Sequence, residues 1–161
     1  EREYWLEGED GCRYRTGDGA TVDEDGYVTI LGRVDDVINV RAQRFNTGEL
    51  EAAIVDAAGV TEAAVVGDDD GRIVAYVTTK SGVEPDEALR AAIADRLASA
   101  VGDVARPDRI VFTPELPKTR SGKIMRRLLA DIARGEEFGD VSALRNPEVV
   151  GEIESTVRRE E

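Results

Sequence analysis

Pro117-Lys118-Thr119-Arg120-Ser121-Gly122-Lys123-Ile124-Met125-Arg126-Arg127 is the stretch on which the reading of this chain turns. From Leu116 to Ala130 there is no Asp or Glu and five positions are Lys or Arg, in a chain of formal net charge −13. Lysine is otherwise scarce: Lys80, Lys118 and Lys123 are the only ones among 21 basic residues. An ammonium on a glycine-bearing loop is a compact, mobile positive charge. That is what a site needs to deliver one charge to a phosphate.

Outside this island the composition narrows the classes. A length of 161 residues accommodates one ordinary domain and an appendage. Aromatic residues are few, so the core must be built mainly from Ala, Val, Leu and Ile. The acidic excess argues against general nucleic-acid or anionic-membrane binding. It reads as a solubility device or as adaptation to a salt-rich cytoplasm. With no histidine and a single cysteine, Cys12, the chain lacks the residues for a His/Cys zinc site or a Ser-His or Cys-His nucleophile. One cysteine also suits a reducing compartment. No signal peptide or membrane-spanning run is visible, so a cytoplasmic protein is expected. The chain begins without Met, which suggests a piece of something longer.

The pattern along the chain predicts mixed structure. Residues 1–34 read as loop and β-hairpin, with a turn at Asp25-Gly26. Strands are predicted at Val37–Val40 and around Arg44-Phe45. Asn46 with Glu49 resembles a capping box, and Leu50, Ala53, Ile54 and Ala57 share one face of the helix that follows. Strands are predicted over 63–67 and 72–79, joined by the acidic turn at Asp68-Asp69-Asp70-Gly71. Pro85 opens a second helix with Leu89, Ile93 and Leu97 on its buried side. A short strand over 109–112, the basic loop, and a helix from about Ile124 to Ala133 complete the pattern. The segment from Gly135 reads as an acidic tail with two short helices around Pro147. The fold class expected is α+β: a β-hairpin strip (1–34), a small domain of short sheet and helices (35–134) and a tail (135–161).

Three separated stretches now combine. They are Tyr14-Arg15-Thr16-Gly17-Asp18, Gly32-Arg33-Val34-Asp35-Asp36-Val37-Ile38-Asn39-Val40, and the Pro117–Arg127 island. Together, in this order, they resemble the C-terminal part of the acyl-adenylate-forming enzymes, and their wording is closest to the AMP-forming acetyl-CoA synthetases. Phe138-Gly139-Asp140-Val141-Ser142-Ala143-Leu144, followed by Pro147, is similar to the tail of that subgroup. Such enzymes join a carboxylate to ATP, and coenzyme A then displaces AMP. The resemblance implies a last strip of the large AMP-binding domain, a hinge, and the whole C-terminal lid domain. It also implies that an N-terminal AMP-binding domain, in the same chain or a separate one, is the necessary partner, and that the substrate is a small carboxylate.

Residue by residue, the resemblance assigns Asp18 to the two ribose hydroxyls of ATP, which a carboxylate can accept together. Arg33 falls beside the same ribose, and Asp35 at the hinge about which the lid rotates. Arg44 is placed against the nucleotide phosphates. Lys123 is the lysine of the adenylation step and a target of reversible acetylation. Each has a plain alternative: a turn aspartate, a surface arginine, a capping aspartate, a strand-edge charge, a solvated loop. For Lys118, Arg120, Arg126 and Arg127 that solvated role is the preferred reading.

The chain also departs from the family. Where the family reads valine, serine, glycine, histidine, arginine, this chain reads Val40-Arg41-Ala42-Gln43-Arg44. Arg41 stands at the CoA-contacting serine and offers a guanidinium to a CoA phosphate instead. Ala42 puts a methyl group where glycine lets pantetheine pass. Val55 and Val60 match positions that would hold Mg2+ through backbone carbonyls, but Ala57 replaces the histidine between them. The alternative function is a non-catalytic lid-like domain that binds nucleotide or a partner protein.

Overall fold

The computed structural model describes residues 5–8, 11–33 and 36–159, with side chains over 11–30 and 36–159. It divides into two units, Glu1–Val37 and Ile38–Glu161.

The first unit is built from two antiparallel hairpins. One pairs β1 (Trp5–Gly8) with β2 (Gly11–Tyr14), and the other pairs β3 (Asp18–Val22) with β4 (Val28–Arg33). The first of these hairpins has no counterpart in the sequence reading. In the second, Val22 faces Val28 and Ala20 faces Ile30. Successive residues alternate between faces, so these four share one face. Val22, Val28 and Ile30 are 67%, 61% and 63% exposed, an apolar surface that the unit itself does not cover.

The second unit begins within β5 (Val37–Val40), which pairs with β6 (Gln43–Asn46). Asn46 then caps α1 (Thr47–Val55), its Oδ1 accepting the Gly48 N–H at 2.9 Å. A three-stranded sheet follows in the order β7 (Val60–Gly67), β8 (Ile73–Thr79), β9 (Arg109–Phe112). The first pair is antiparallel and the second parallel. A parallel pair needs a long crossover, supplied here by α2 (Glu87–Val101) and a 3-10 turn at Asp103–Ala105. Asp86 rather than Pro85 starts α2: its carboxylate accepts the Leu89 N–H at 2.8 Å, which leaves the proline one residue ahead of the cap. After the basic loop come α3 (Arg126–Arg134) and α4 (Glu148–Arg159).

Period-two alternation along the sheet separates two cores. Val60, Ala63, Val65, Ile73, Ala75, Val77 and Ile110 pack with α1, α2 and the β5–β6 hairpin. Ala64, Val66, Val74, Tyr76 and Val111 pack with α3 and α4. Burial on both faces explains why β7 and β8 read as continuous apolar runs. Leu50, Ala53, Ile54, Ala57, Leu89, Ile93 and Leu97 are all buried, as their helical spacing predicts. On the other face, burial pushes the Tyr76 phenol well above its usual range, and its O–H donates to the Leu129 carbonyl at 3.0 Å.

The stretch from Gly135 differs from the acidic tail read in the sequence. One helix rather than two lies there among the described residues, and Val149, Val150, Ile153 and Val157 of α4 are buried in the second core. Acidic composition masked the pattern, because the charges occupy only the outer face of that helix.

The β7–β8 turn supplies a test by pH. Asp68 Oδ1 accepts the Asp70 and Arg72 N–H groups at 3.0 and 2.9 Å, and Oδ2 accepts from the Arg72 guanidinium at 2.6 Å. Burial works to raise this carboxyl, but the hydrogen bonds and charge of Arg72 outweigh it, and the pKa lies below the ordinary 3.8. A carboxylate depressed in the folded state stabilises fully above its unfolded pKa and loses that contribution as pH falls through the folded value. Thermal melts from about pH 5 to pH 2 should therefore show a steeper acid decline for the wild type than for Asp68→Asn, which cannot titrate.

Candidate functional site: the lysine turn

The basic loop is a hairpin turn of a kind used three times among the described residues. Asp23-Glu24-Asp25-Gly26-Tyr27, Asp68-Asp69-Asp70-Gly71-Arg72 and Thr119-Arg120-Ser121-Gly122-Lys123 share one pattern. In each, the first N–H donates to the fifth carbonyl and the fourth N–H to the first carbonyl. The glycines have φ of 84°, 70° and 85°, a left-handed conformation that costs a side-chain-bearing residue about 1–2 kcal/mol. The first side chain closes the turn from within. In the third turn Thr119 Oγ1 accepts the Lys123 N–H at 3.1 Å and lies 3.0 Å from Ser121 Oγ. Lys123 is thus the closing residue of a turn fixed by its own hydrogen bonds, and its side chain is exposed.

The five basic residues of the island divide into two groups. Lys118 Nζ contacts both oxygens of Glu62 at 2.6 Å and its side chain is only 11% exposed. Arg126 makes a two-pronged contact with Glu51, at 2.9 and 2.6 Å, and Glu51 Oε1 also accepts the Val65 N–H at 3.0 Å. The solvated role read for these two in the sequence gives way to a structural one: they tie the loop and α3 to β7 and α1. Among the described residues Lys123, Arg120 and Arg127 make no ion pair. A spacing rule could not have separated the groups, because Glu51 and Glu62 lie more than fifty residues away.

The other residues singled out in the sequence fall in distinct places. Asp18 and Arg33 are brought together as direct partners in the β3–β4 register, and Asp18 N–H donates to Thr16 Oγ1 at 3.1 Å. The Arg33 side chain and Asp35 lie outside the described residues. Arg44 stands exposed on β6, and among the described residues its guanidinium has no ion pair. Val55 ends α1 and Val60 starts β7. The carboxylate between them, Asp56, is taken up by Arg96 at 2.7 Å, and among the described residues no three acidic or Cys side chains gather to hold a metal.

Arg41 and Ala42 form the tip of the β5–β6 hairpin, with φ of 49° and 64°. Two successive left-handed residues make the type I′ turn, which favours Asn-Gly. The guanidinium that the sequence offers to a CoA phosphate reaches back onto the domain: Arg41 contacts Asp108 Oδ1 at 2.6 Å and the Val104 carbonyl at 3.3 Å. Asp108 Oδ2 in turn accepts the Ile73 N–H at 2.8 Å. Ala42→Gly should relieve a left-handed alanine at some cost in unfolded-chain entropy, for a net gain of roughly 0.5–1 kcal/mol. A rise of a few degrees in the thermal midpoint checks it; an unchanged or lower midpoint contradicts the strain at this tip.

Comparison with known proteins bears on what this arrangement belongs to. The AMP-binding enzyme C-terminal domain matches residues 49–123. The acetyl-coenzyme A synthetase of Gemmatimonas aurantiaca is 51% identical over 152 residues, covering 92% of this chain and 23% of that protein. Acetyl-coenzyme A synthetase 1 of Pseudomonas aeruginosa is 52% identical over 151 residues, covering 90% and 23%. The chain therefore spans under a quarter of the length of these curated relatives. Among solved structures, an anthranilate CoA ligase in complex with anthranoyl-AMP matches with a TM-score of 0.67 at 35% identity, covering 75% of this chain and 24% of that one. The acetoacetyl-CoA synthetase of Streptomyces lividans matches 99% of this chain and 25% of its own, with a TM-score of 0.77; at 20% identity this likeness speaks for the fold alone. The chain belongs to the adenylate-forming enzymes that carry the AMP-binding enzyme C-terminal domain, and corresponds to their C-terminal part.

Proposed function

We propose that this chain is the C-terminal portion of an AMP-forming ligase that converts a short carboxylate, ATP and coenzyme A to acyl-CoA, AMP and pyrophosphate. The observation that carries the reading is the lysine turn. It is held internally, its neighbours Lys118 and Arg126 are neutralised by Glu62 and Glu51, and Lys123 is left exposed. In the first half-reaction a carboxylate oxygen attacks the α-phosphorus. The bond to the bridging oxygen breaks, and pyrophosphate leaves with the electron pair. An ammonium between the carboxylate and the α-phosphoryl oxygens orients both and offsets the charge that develops. In the second half-reaction the CoA sulfur attacks the acyl carbonyl and AMP leaves.

Asp18 would accept the ribose hydroxyls with Arg33 beside it, Arg44 would meet the phosphates, and Asp35 would be the hinge. Residues 1–34 would be the last strip of a large domain, for which the uncovered apolar face of Val22, Val28 and Ile30 is a reason. Magnesium would arrive with ATP and be held by phosphate oxygens. Lys123, being exposed, would be open to acetylation, which removes its charge.

The test is to combine this chain with a matching large domain and measure carboxylate-dependent ATP–pyrophosphate exchange, at low and high salt. Exchange above that of the large domain alone is expected. No gain would favour a lid-like domain without catalysis.

A further inference from the structure

The shape of the lysine turn comes from within it, but its position on the domain does not. Residues leading into the turn give their backbone groups to residues 144–146. The Lys118 N–H donates to Asn146 Oδ1 at 3.0 Å, and the Lys118 carbonyl accepts the Arg145 N–H at 2.9 Å. The Leu116 carbonyl accepts from Asn146 Nδ2 at 2.9 Å, and the same nitrogen reaches Glu115 Oε2 at 2.6 Å. Thr119 forms an antiparallel bridge with Leu144. Asn146 is 4% exposed, so water cannot replace a lost partner. An amide offers two donors and an acceptor on one short side chain, and here all three are used.

The anchorage continues behind this contact. Asn146 directly precedes Pro147 and α4, whose Val149, Val150 and Ile153 are sunk in the second core. A rigid path therefore runs from that core through Asn146 and Lys118 to Lys123. None of residues 144–146 falls within 49–123, where the domain family is matched.

We propose that residues 144–146 form a strap that sets the position of the Lys123 turn, with Asn146 as a positioning residue for adenylation. Its catalytic half rests on the ligase reading; its structural half does not. Misplacing a reacting group by about 1 Å can cost on the order of 10²-fold in rate. Asn146→Ala should therefore lower ATP–pyrophosphate exchange by roughly 10- to 100-fold. Thioester formation from supplied acyl-adenylate should stay unchanged, since Lys123 has no part in that step.

Two measurements decide the matter. In this chain by itself, amide hydrogen exchange of Asn146→Ala should quicken at Thr119, Lys123 and Met125 as well as at Lys118, with β7 and β8 still protected. Quickening at Lys118 alone would mean that the amide satisfies one N–H and holds nothing else, which overturns the strap. With the large domain present, the two half-reactions are compared. Equal loss in both overturns the positioning role and leaves a merely structural one. Pairing Asn146→Asp with Glu115→Gln reverses donor and acceptor across their contact and keeps an oxygen toward Lys118, while the bond to the Leu116 carbonyl stays lost. This double variant should recover part of the exchange rate that Asn146→Asp alone loses, and no recovery counts against the geometry argued here. If the wild type catalyses no exchange, the ligase reading fails, and amide exchange still decides whether the strap holds the turn.

Discussion

Lys123→Ala is expected to lower carboxylate-dependent ATP–pyrophosphate exchange by about 10²–10³-fold, the usual cost of removing one preorganised charge from a developing oxyanion. The thermal midpoint should not move, because the side chain is exposed and, among the described residues, forms no ion pair. Thioester formation from supplied acyl-adenylate should also survive. The contrast with its neighbours is part of the prediction. Lys118→Ala leaves Glu62 without its cation, and Arg126→Ala strands a Glu51 carboxylate whose side chain is 12% exposed. Losing the partner of a largely buried charge such as Glu51 is costly in stability, and Lys118→Ala removes a side chain that is itself only 11% exposed, so those variants should act first through melting temperature. Measuring both half-reactions and the melting temperature for all three separates charge delivery from scaffolding. A Lys123→Ala variant that loses both half-reactions equally would contradict the assigned step.

Truncation after Asn146 is expected to abolish cooperative unfolding of the second unit. The cut removes Val149, Val150, Ile153 and Val157, whose exposures are 4%, 3%, 0% and 3%. Each fully buried aliphatic side chain contributes about 1.5–3 kcal/mol, so the loss is on the order of 6 kcal/mol or more. The whole net stability of a domain is about 5–15 kcal/mol. The cut also uncovers Leu129 and Ile132 of α3. Calorimetry on the truncated chain checks this, and a transition retained within a few degrees would show that α4 is an accessory rather than core.

The two predictions fall on opposite sides of what a sequence can disclose. Helix faces were legible because 3.6-residue spacing is a local property: Leu50, Ala53, Ile54 and Ala57 needed only one another to be placed. Turns were legible for the same reason, since a side-chain oxygen and a glycine three residues apart specify the conformation by themselves. The burial of α4 was hidden beneath its acidic outer face. The pairing of Lys118 with Glu62 and of Arg126 with Glu51 was hidden because opposite charges abound in this chain and nothing local ranks them. The role of Asn146 was hidden more deeply still, since a lone asparagine before a proline reads as a turn residue.

By itself the sequence determined the α+β class, the order of elements from β5 to α3 and the family, and it singled out the one lysine on which the proposed chemistry rests. Those follow from periodicity, turn chemistry and motif wording, which are short-range or additive along the chain. Only the tertiary structure decided which charges of the basic island are spent, Lys118 and Arg126, and which stay out of ion pairs among the described residues, Lys123, Arg120 and Arg127. Ion pairing and amide capping depend on distances across the sheet, and no interval along the chain encodes them. Lys123 is available because Glu62, Glu51 and Asn146 hold everything around it in place.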